Sequence, residues 1–143
     1  MDEVLELDGP VATPGSILST MLRRSAGTLV EAPVRPPMCA EARLAVSREH
    51  GIMLLGVARQ GLAELRSIAQ AYRWLEENLA LIAMAVPQFA IDARKTPKLR
   101  LLVDQSDVSA EVLRPILQSG NVTLQAYRMV RWGGRTGLLL DAA

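Results

Sequence analysis

The chain of 143 residues is poor in several residue types, and each shortage excludes a class of protein. It has one cysteine, Cys39, so neither an intrachain disulfide nor a cysteine-based zinc cluster can form. Only 3% of the residues are aromatic while half are hydrophobic, which predicts a core of aliphatic side chains. The net charge of +1 gives no reason to expect a protein that coats a polyanion.

The sequence also lacks the features that direct a chain to a membrane. No basic region precedes an apolar run after Met1, so a secretory signal is not predicted. The longest strongly apolar stretch, residues 78–90, is interrupted by Pro87 and Gln88 and falls short of a bilayer span. We therefore expect a soluble, cytoplasmic protein without a membrane partner.

Apolar periodicity predicts an α/β order within one domain, with residues 1–15 as an N-terminal strand or tail and residues 16–141 as the core. Prolines at 33, 36 and 37 predict a stiff connector over residues 31–39. The predicted elements are a helix with Ser16 as N-cap that ends before Gly27, strands at 43–46 and 52–57, a helix from 61 that ends at Pro87, a strand at 99–104, a helix from Ser109 to Gly120, and strands at 122–132 and 135–141.

Two turns are predicted from their glycines. Glu49-His50-Gly51 is typical of a hairpin turn, with positive φ expected at Gly51. Gly133-Gly134 predicts a two-residue turn between the last two strands.

Several segments resemble a known family when they are taken in this order. They are Arg43-Leu44-Ala45-Val46, the turn at residues 49–51, Val57-Ala58-Arg59, and the helix residues Gln70 and Tyr72. The layout resembles the PD-(D/E)XK nuclease superfamily, and most of all the mismatch-specific endonuclease C-terminal domain and related bacterial proteins. The resemblance covers residues 16–141 and implies a restriction-endonuclease-like, three-layer fold with a central mixed β-sheet flanked by helices.

The catalytic positions depart from this family. Arg43 occupies the aspartate position, Val57 the glutamate position and Arg59 the lysine position. Mg²⁺ requires oxygen ligands, which Val57 lacks, and Arg43 would repel the ion. The guanidinium of Arg59 cannot exchange a proton near neutral pH. The resemblance therefore implies a pseudo-nuclease: a catalytically inactive structural or protein-interaction module without metal or cofactor.

Two alternatives remain open. The first is a metal-dependent DNA or RNA endonuclease in which displaced acids, Glu41 and Glu64, hold Mg²⁺. The second is a non-catalytic nucleic-acid-binding module, in which Arg59, Arg66, Gln70 and Arg73 line a phosphate-facing ridge. A solvated helix face is the simpler explanation for the helical part of that set.

Oligomerisation is expected from apolar residues that a single copy leaves uncovered. The helical stripe continues through Ala83, Met84 and Val86. Met129, Val130 and Trp132 belong to a late strand that we expect near an open sheet edge. A homo-oligomer, most simply a homodimer, is the predicted assembly.

Two single residues carry no catalytic expectation. His50 is predicted to be a solvated turn residue, because no partner for a general base accompanies it. Cys39 is predicted to be a small buried filler, because no histidine stands at the spacing of a thiol nucleophile.

Overall fold

A computed structural model describes residues 3–9, 12–59, 61–104 and 121–140, with the backbone alone at residues 3, 61 and 62. Seven strands and two α-helices make up its regular structure, together with one turn of 3₁₀-helix at Pro87–Phe89. In chain order they are β1 (Glu3–Glu6), α1 (Pro14–Arg24), β2 (Leu29–Glu31), β3 (Ala42–Ser47), β4 (Ile52–Ala58), α2 (Gly61–Ala85), β5 (Lys98–Asp104), β6 (Val122–Trp132) and β7 (Arg135–Leu140).

The strands form one mixed sheet in the order β1-β7-β6-β5-β4-β3-β2. The central strands β4, β5 and β6 run parallel, and the remaining neighbours pair antiparallel. The predicted α/β class with a mixed sheet is therefore confirmed. The helix predicted between Ser109 and Gly120 lies outside the described residues.

Alternate residues of the central strands face the two helices. On β4, Leu54 belongs to the apolar cluster beneath α2, whereas Leu55 and Val57 belong to the cluster beneath α1. Gly56 faces α2, where a Cβ atom would come within 3.0 Å of Ile68 Cγ2. This alternation places one helix on each face of the sheet.

The start of α1 differs from the prediction. Thr13, and not Ser16, is the N-cap, with Pro14 in the first turn. The Thr13 hydroxyl accepts from the Ser16 N–H, and the Ser16 hydroxyl accepts from the Thr13 N–H. Serine at the third helical position thus closes a capping box, and a proline after the cap suits the missing N–H.

The β3–β4 turn and the connector also differ in detail. His50 takes the positive φ of 65° that was expected at Gly51. Part of the predicted connector and the residues before it form a short strand, because Leu29–Glu31 pairs with β3. The turn at Gly133-Gly134 is confirmed, with φ of 51° and 75°.

Candidate functional site

Val57, which the resemblance aligns with a glutamate, lies in the hydrophobic core. Its exposed fraction is 0%, and it belongs to the apolar cluster that includes Ile17 and Leu18 of α1 and Tyr127 of β6. Among the described residues, side chains of α1 thus pack over this position.

Arg43, which the resemblance aligns with an aspartate, links three elements on the α1 side of the sheet. Its Nη1 lies 3.2 Å from Glu31 Oε1 and donates to Ser19 Oγ at 3.4 Å. Its side chain is only 14% exposed, and Nη2 would be 3.6 Å from a Cβ atom on Gly15. The guanidinium thus connects β3 to β2 and to the first turns of α1.

Arg59, which the resemblance aligns with a lysine, contacts the segment just before the same helix. Arg59 Nη1 donates to the Ala12 carbonyl oxygen at 2.9 Å. Its Nε is buried and has no hydrogen-bond partner among the described residues. Arg43 thus contacts the first turns of α1, and Arg59 contacts the segment that leads into it.

The two displaced-acid candidates lie near the same end of β4 but on the α2 side. The Glu41 carbonyl oxygen accepts from the Val57 N–H at 2.9 Å, and its carboxylate lies 3.6 Å from Cys39 Sγ. The Glu64 carboxylate accepts from the Arg59 N–H. Within the described ranges, no three or more His, Cys, Asp or Glu side chains are grouped for metal binding. The acids thus lie across the sheet from the side chains of Arg43 and Val57.

Cys39 is buried, which confirms its prediction as a core filler. Burial raises the pKa of its thiol, and the hydroxyl of Ser67 opposes this by hydrogen bonding while the negative charge of Glu41 adds to it. The neutral thiol is therefore favoured, and this environment is the reverse of the one that activates a cysteine nucleophile.

The structure separates the predicted nucleic-acid-binding residues. Arg66, Gln70 and Arg73 are exposed on the outer face of α2. The Arg59 guanidinium instead contacts Ala12 on the α1 side. The helical residues thus share one stripe, and Arg59 does not join it.

The apolar surface residues agree with the prediction only in part. Val86 is 4% exposed and belongs to the core, because the chain turns inward where α2 ends. Leu81 and Met84 remain 64% and 76% exposed on α2, and Met129 and Trp132 are exposed on β6. No described helix is long and apolar enough to cross a membrane.

Sequence reasoning missed the partners of the two arginines. Nothing in the spacing of Glu31 or Ser19 indicates that they meet Arg43, since they are 12 and 24 residues away in the chain. It also missed a cavity that both lysines of the chain, Lys95 and Lys98, line. The scarcity of lysine and its clustering around Pro97 were the available signal.

Comparison with known proteins leaves the family undetermined. No family model matches the chain, and neither a curated protein nor a solved structure does.

Proposed function

We propose that this chain is a catalytically inactive domain of restriction-endonuclease-like fold that serves as a structural and protein-interaction module. The observation that carries the proposal is what the side chains of Arg43 and Arg59 contact. Both guanidinium groups bind the segment around the start of α1, and Val57 is buried beneath that helix. In this proposal, the residues at the family's catalytic positions stabilise the fold and do not bind a metal.

The order of elements supports the proposed fold. The antiparallel pair β3–β4 is followed by the long helix α2 and by β5, which pairs parallel with β4. The resemblance implies this same succession of a hairpin, a helix and a parallel strand. Fold alone does not decide function, so the argument against catalysis rests on the side chains.

Those side chains oppose metal-assisted hydrolysis. A Mg²⁺ ion needs several oxygen ligands and an open position for substrate. Val57 provides no oxygen, and its side chain is fully buried in the cluster that includes α1 residues. The neighbouring guanidinium of Arg43 is positively charged and is already paired with Glu31.

The outer face of α2 is the surface on which we expect a second copy to pack. Its exposed stripe has Arg73 and Glu77 in the middle and Leu81 and Met84 towards the C-terminal end. In an antiparallel pair of α2 helices with the two-fold axis near Leu75, Arg73 of each copy lies opposite Glu77 of the other. Both ion pairs form by the same operation, and the apolar ends are covered by the partner helix.

The catalytic part of the proposal is tested with nucleic acid substrates. Supercoiled DNA and single-stranded RNA are incubated with the protein and Mg²⁺ or Mn²⁺, beside an E41Q/E64Q variant. We expect no cleavage by either protein. Cleavage by the wild type that the double variant lacks would establish the metal-dependent nuclease instead.

The assembly is tested by sedimentation velocity at micromolar concentration. We expect a dimer for the wild type and a monomer for L81E and M84E, because a carboxylate on the interface would be desolvated. M38E is the matched control, since Met38 is a fully exposed methionine that does not belong to α2, and it should stay dimeric. A compact wild-type monomer would overturn the dimer, and dissociation by M129E alone would move the interface to β6.

A nucleic-acid-binding module is the second candidate, favoured by the exposed stripe of Arg66, Gln70 and Arg73. Such binding would depend on phosphate contacts and would weaken steeply as salt rises. Retention on DNA at low salt that R66Q/R73Q abolishes would support this function. We expect no such retention if the stripe is a dimer interface.

A further inference from the structure

The cavity lined by Lys95 and Lys98 lies at the opposite end of β4 from Val57 and Arg59. It has a volume of about 560 Å³ and opens on the α1 side of the sheet, beyond the C-terminal end of α1. Its walls come from the start of β2, the β3–β4 turn and the segment that leads into β5. Its lining residues include Leu29, Glu49, Met53, Lys95, Thr96 and Lys98.

Hydrogen bonds between separate segments fix the walls of this cavity. The Asp92 N–H donates to the His50 carbonyl oxygen at 2.8 Å, and the Lys95 ammonium donates to the Glu49 carbonyl oxygen. On the other side of the same segment, the Tyr72 hydroxyl donates to the Pro97 carbonyl oxygen. The turn and the lysine-bearing segment are therefore held together before any ligand arrives, which lowers the entropic cost of binding.

Positive charge is in excess at the cavity. Lys95 and Lys98 line it. Arg48 lies close by, since its Nη2 would be 3.9 Å from a Cβ atom on Gly27, the residue before the lining residue Thr28. Glu49 is the acid that lines it, so these three cations and one carboxylate leave a charge of about +2. Hydrogen bonds from its own backbone N–H and from a serine hydroxyl hold the pKa of Glu49 below its usual range, and the two lysines lower it further.

The nearby acid Asp92 does not cancel this charge, because it is neutralised locally. Its carboxylate forms an ion pair with Arg94, with 3.1 Å between Nε and Oδ1. Arg94 is 92% exposed and does not line the cavity.

The floor of the cavity is apolar. Met53 and Leu29 are half-buried there and pack against the apolar cluster on the α1 side. A cavity with cations at one side and aliphatic side chains below them matches a ligand that has one charged end and one apolar part.

We propose that this cavity binds a small molecule in which a phosphate monoester is attached to an apolar body. A phosphate monoester carries about −1.5 to −2 charges at neutral pH, close to the excess at the cavity, whereas a carboxylate carries one. Lys98 and the exposed hydroxyl-bearing Thr96 contact the phosphate, while Met53 and Leu29 contact the apolar body. This site is independent of the inactive-nuclease proposal, because it uses none of the same residues.

The test is calorimetric titration of the full chain with phenyl phosphate, inorganic phosphate and benzoate. We expect phenyl phosphate to bind most tightly. Inorganic phosphate should bind more weakly because it lacks the apolar part, and benzoate should bind more weakly because it carries only one negative charge. K98Q should weaken phenyl phosphate about five- to tenfold, the effect of one partly screened charge. R128Q removes an equal charge from an exposed residue of β6, beyond the end of its pairing with β5, and should change the affinity less than twofold.

The place where phenyl phosphate binds is checked separately by NMR. Phenyl phosphate should shift the backbone amides of Thr28, Gly51, Met53 and Thr96. The proposal would be overturned by shifts confined to α2 around Arg66 or by equal weakening from K98Q and R128Q. Tighter binding of benzoate, or no binding of phenyl phosphate at millimolar concentration, would also overturn it. Equal affinity for inorganic phosphate would remove the apolar part of the ligand and so contradict it as well.

Discussion

Arg43 on β3 forms an ion pair with Glu31 on β2, although the two residues are not direct neighbours in the sheet. The strand register places Glu31 opposite Ala45, so the pair is diagonal and reaches the side where α1 lies. The same guanidinium atom also contacts Ser19 of α1. One side chain therefore joins two strands to a helix on the α1 side of the sheet.

Replacing Arg43 with methionine should test this structural role. R43M keeps much of the aliphatic stem but removes every polar contact, and it leaves Ser19 and Glu31 without their partner. We expect a loss of about 1–3 kcal/mol in the free energy of unfolding, measured by urea denaturation. R35M, the same change at an exposed arginine, should stay within about 0.5 kcal/mol of the wild type. Equal effects of the two substitutions would contradict the role.

A substitution at Val57 tests whether this position is a covered part of the core or an open catalytic cleft. V57T preserves the shape of the side chain and introduces a hydroxyl, which would be harmless in a solvated cleft. Beneath α1 it should lower the free energy of unfolding by about 1–3 kcal/mol, because a buried hydroxyl loses its hydration. V30T is the control at an exposed strand residue and should be nearly neutral. Thermal unfolding of both variants, monitored by circular dichroism, would reveal an open cleft if V57T were equally neutral.

Much of the architecture could be predicted because local periodicity carries it. The apolar run from Ile52 and the three-four spacing from Leu65 to Ile82 predicted β4 and α2, and both are confirmed. Burial enforces such patterns, so they remain visible in a single sequence. The short strand β2 was missed, because three residues with two exposed side chains leave no periodic signal.

The roles of single residues were less accessible. That Arg43, Val57 and Arg59 depart from nuclease chemistry could be stated from the sequence. That the two arginines instead bind the region of α1 could not, because Arg59 and Ala12 are 47 residues apart and meet only after folding. His50 took the positive φ in place of Gly51 for a related reason. Its carbonyl oxygen accepts from the distant Asp92 N–H, a tertiary contact that local turn statistics do not contain.

The buried thiol of Cys39 predicts how stability depends on alkaline pH. Burial raises the pKa of the thiol in the folded state, so folding favours the protonated form. This contribution is fully present below the ordinary thiol pKa of about 8.5 and is lost as the pH rises through the higher folded value. Urea denaturation at about pH 7.5 and 9.5 should show a larger loss for the wild type than for C39A. Identical losses would mean that the thiol titrates normally in the folded protein.

Gly137 on β7 is closely surrounded by atoms of neighbouring residues. A Cβ atom there would lie 2.9 Å from the Leu5 carbonyl oxygen of β1 and 2.8 Å from Trp132 Cη2. The exposed indole of Trp132 can turn away, but the carbonyl belongs to the neighbouring strand and can move only if β1 separates from β7. G137A should therefore lower the free energy of unfolding by about 1–3 kcal/mol, the usual cost of overpacking.

The matched control is G9A, which meets no atom within 4 Å and should be close to neutral. Hydrogen exchange gives a second measurement, because G137A should accelerate exchange at the Leu7 N–H, which donates to the Thr136 carbonyl beside the substituted residue. Unchanged stability and exchange in G137A would show that β1 is not held against β7 as closely as these distances require.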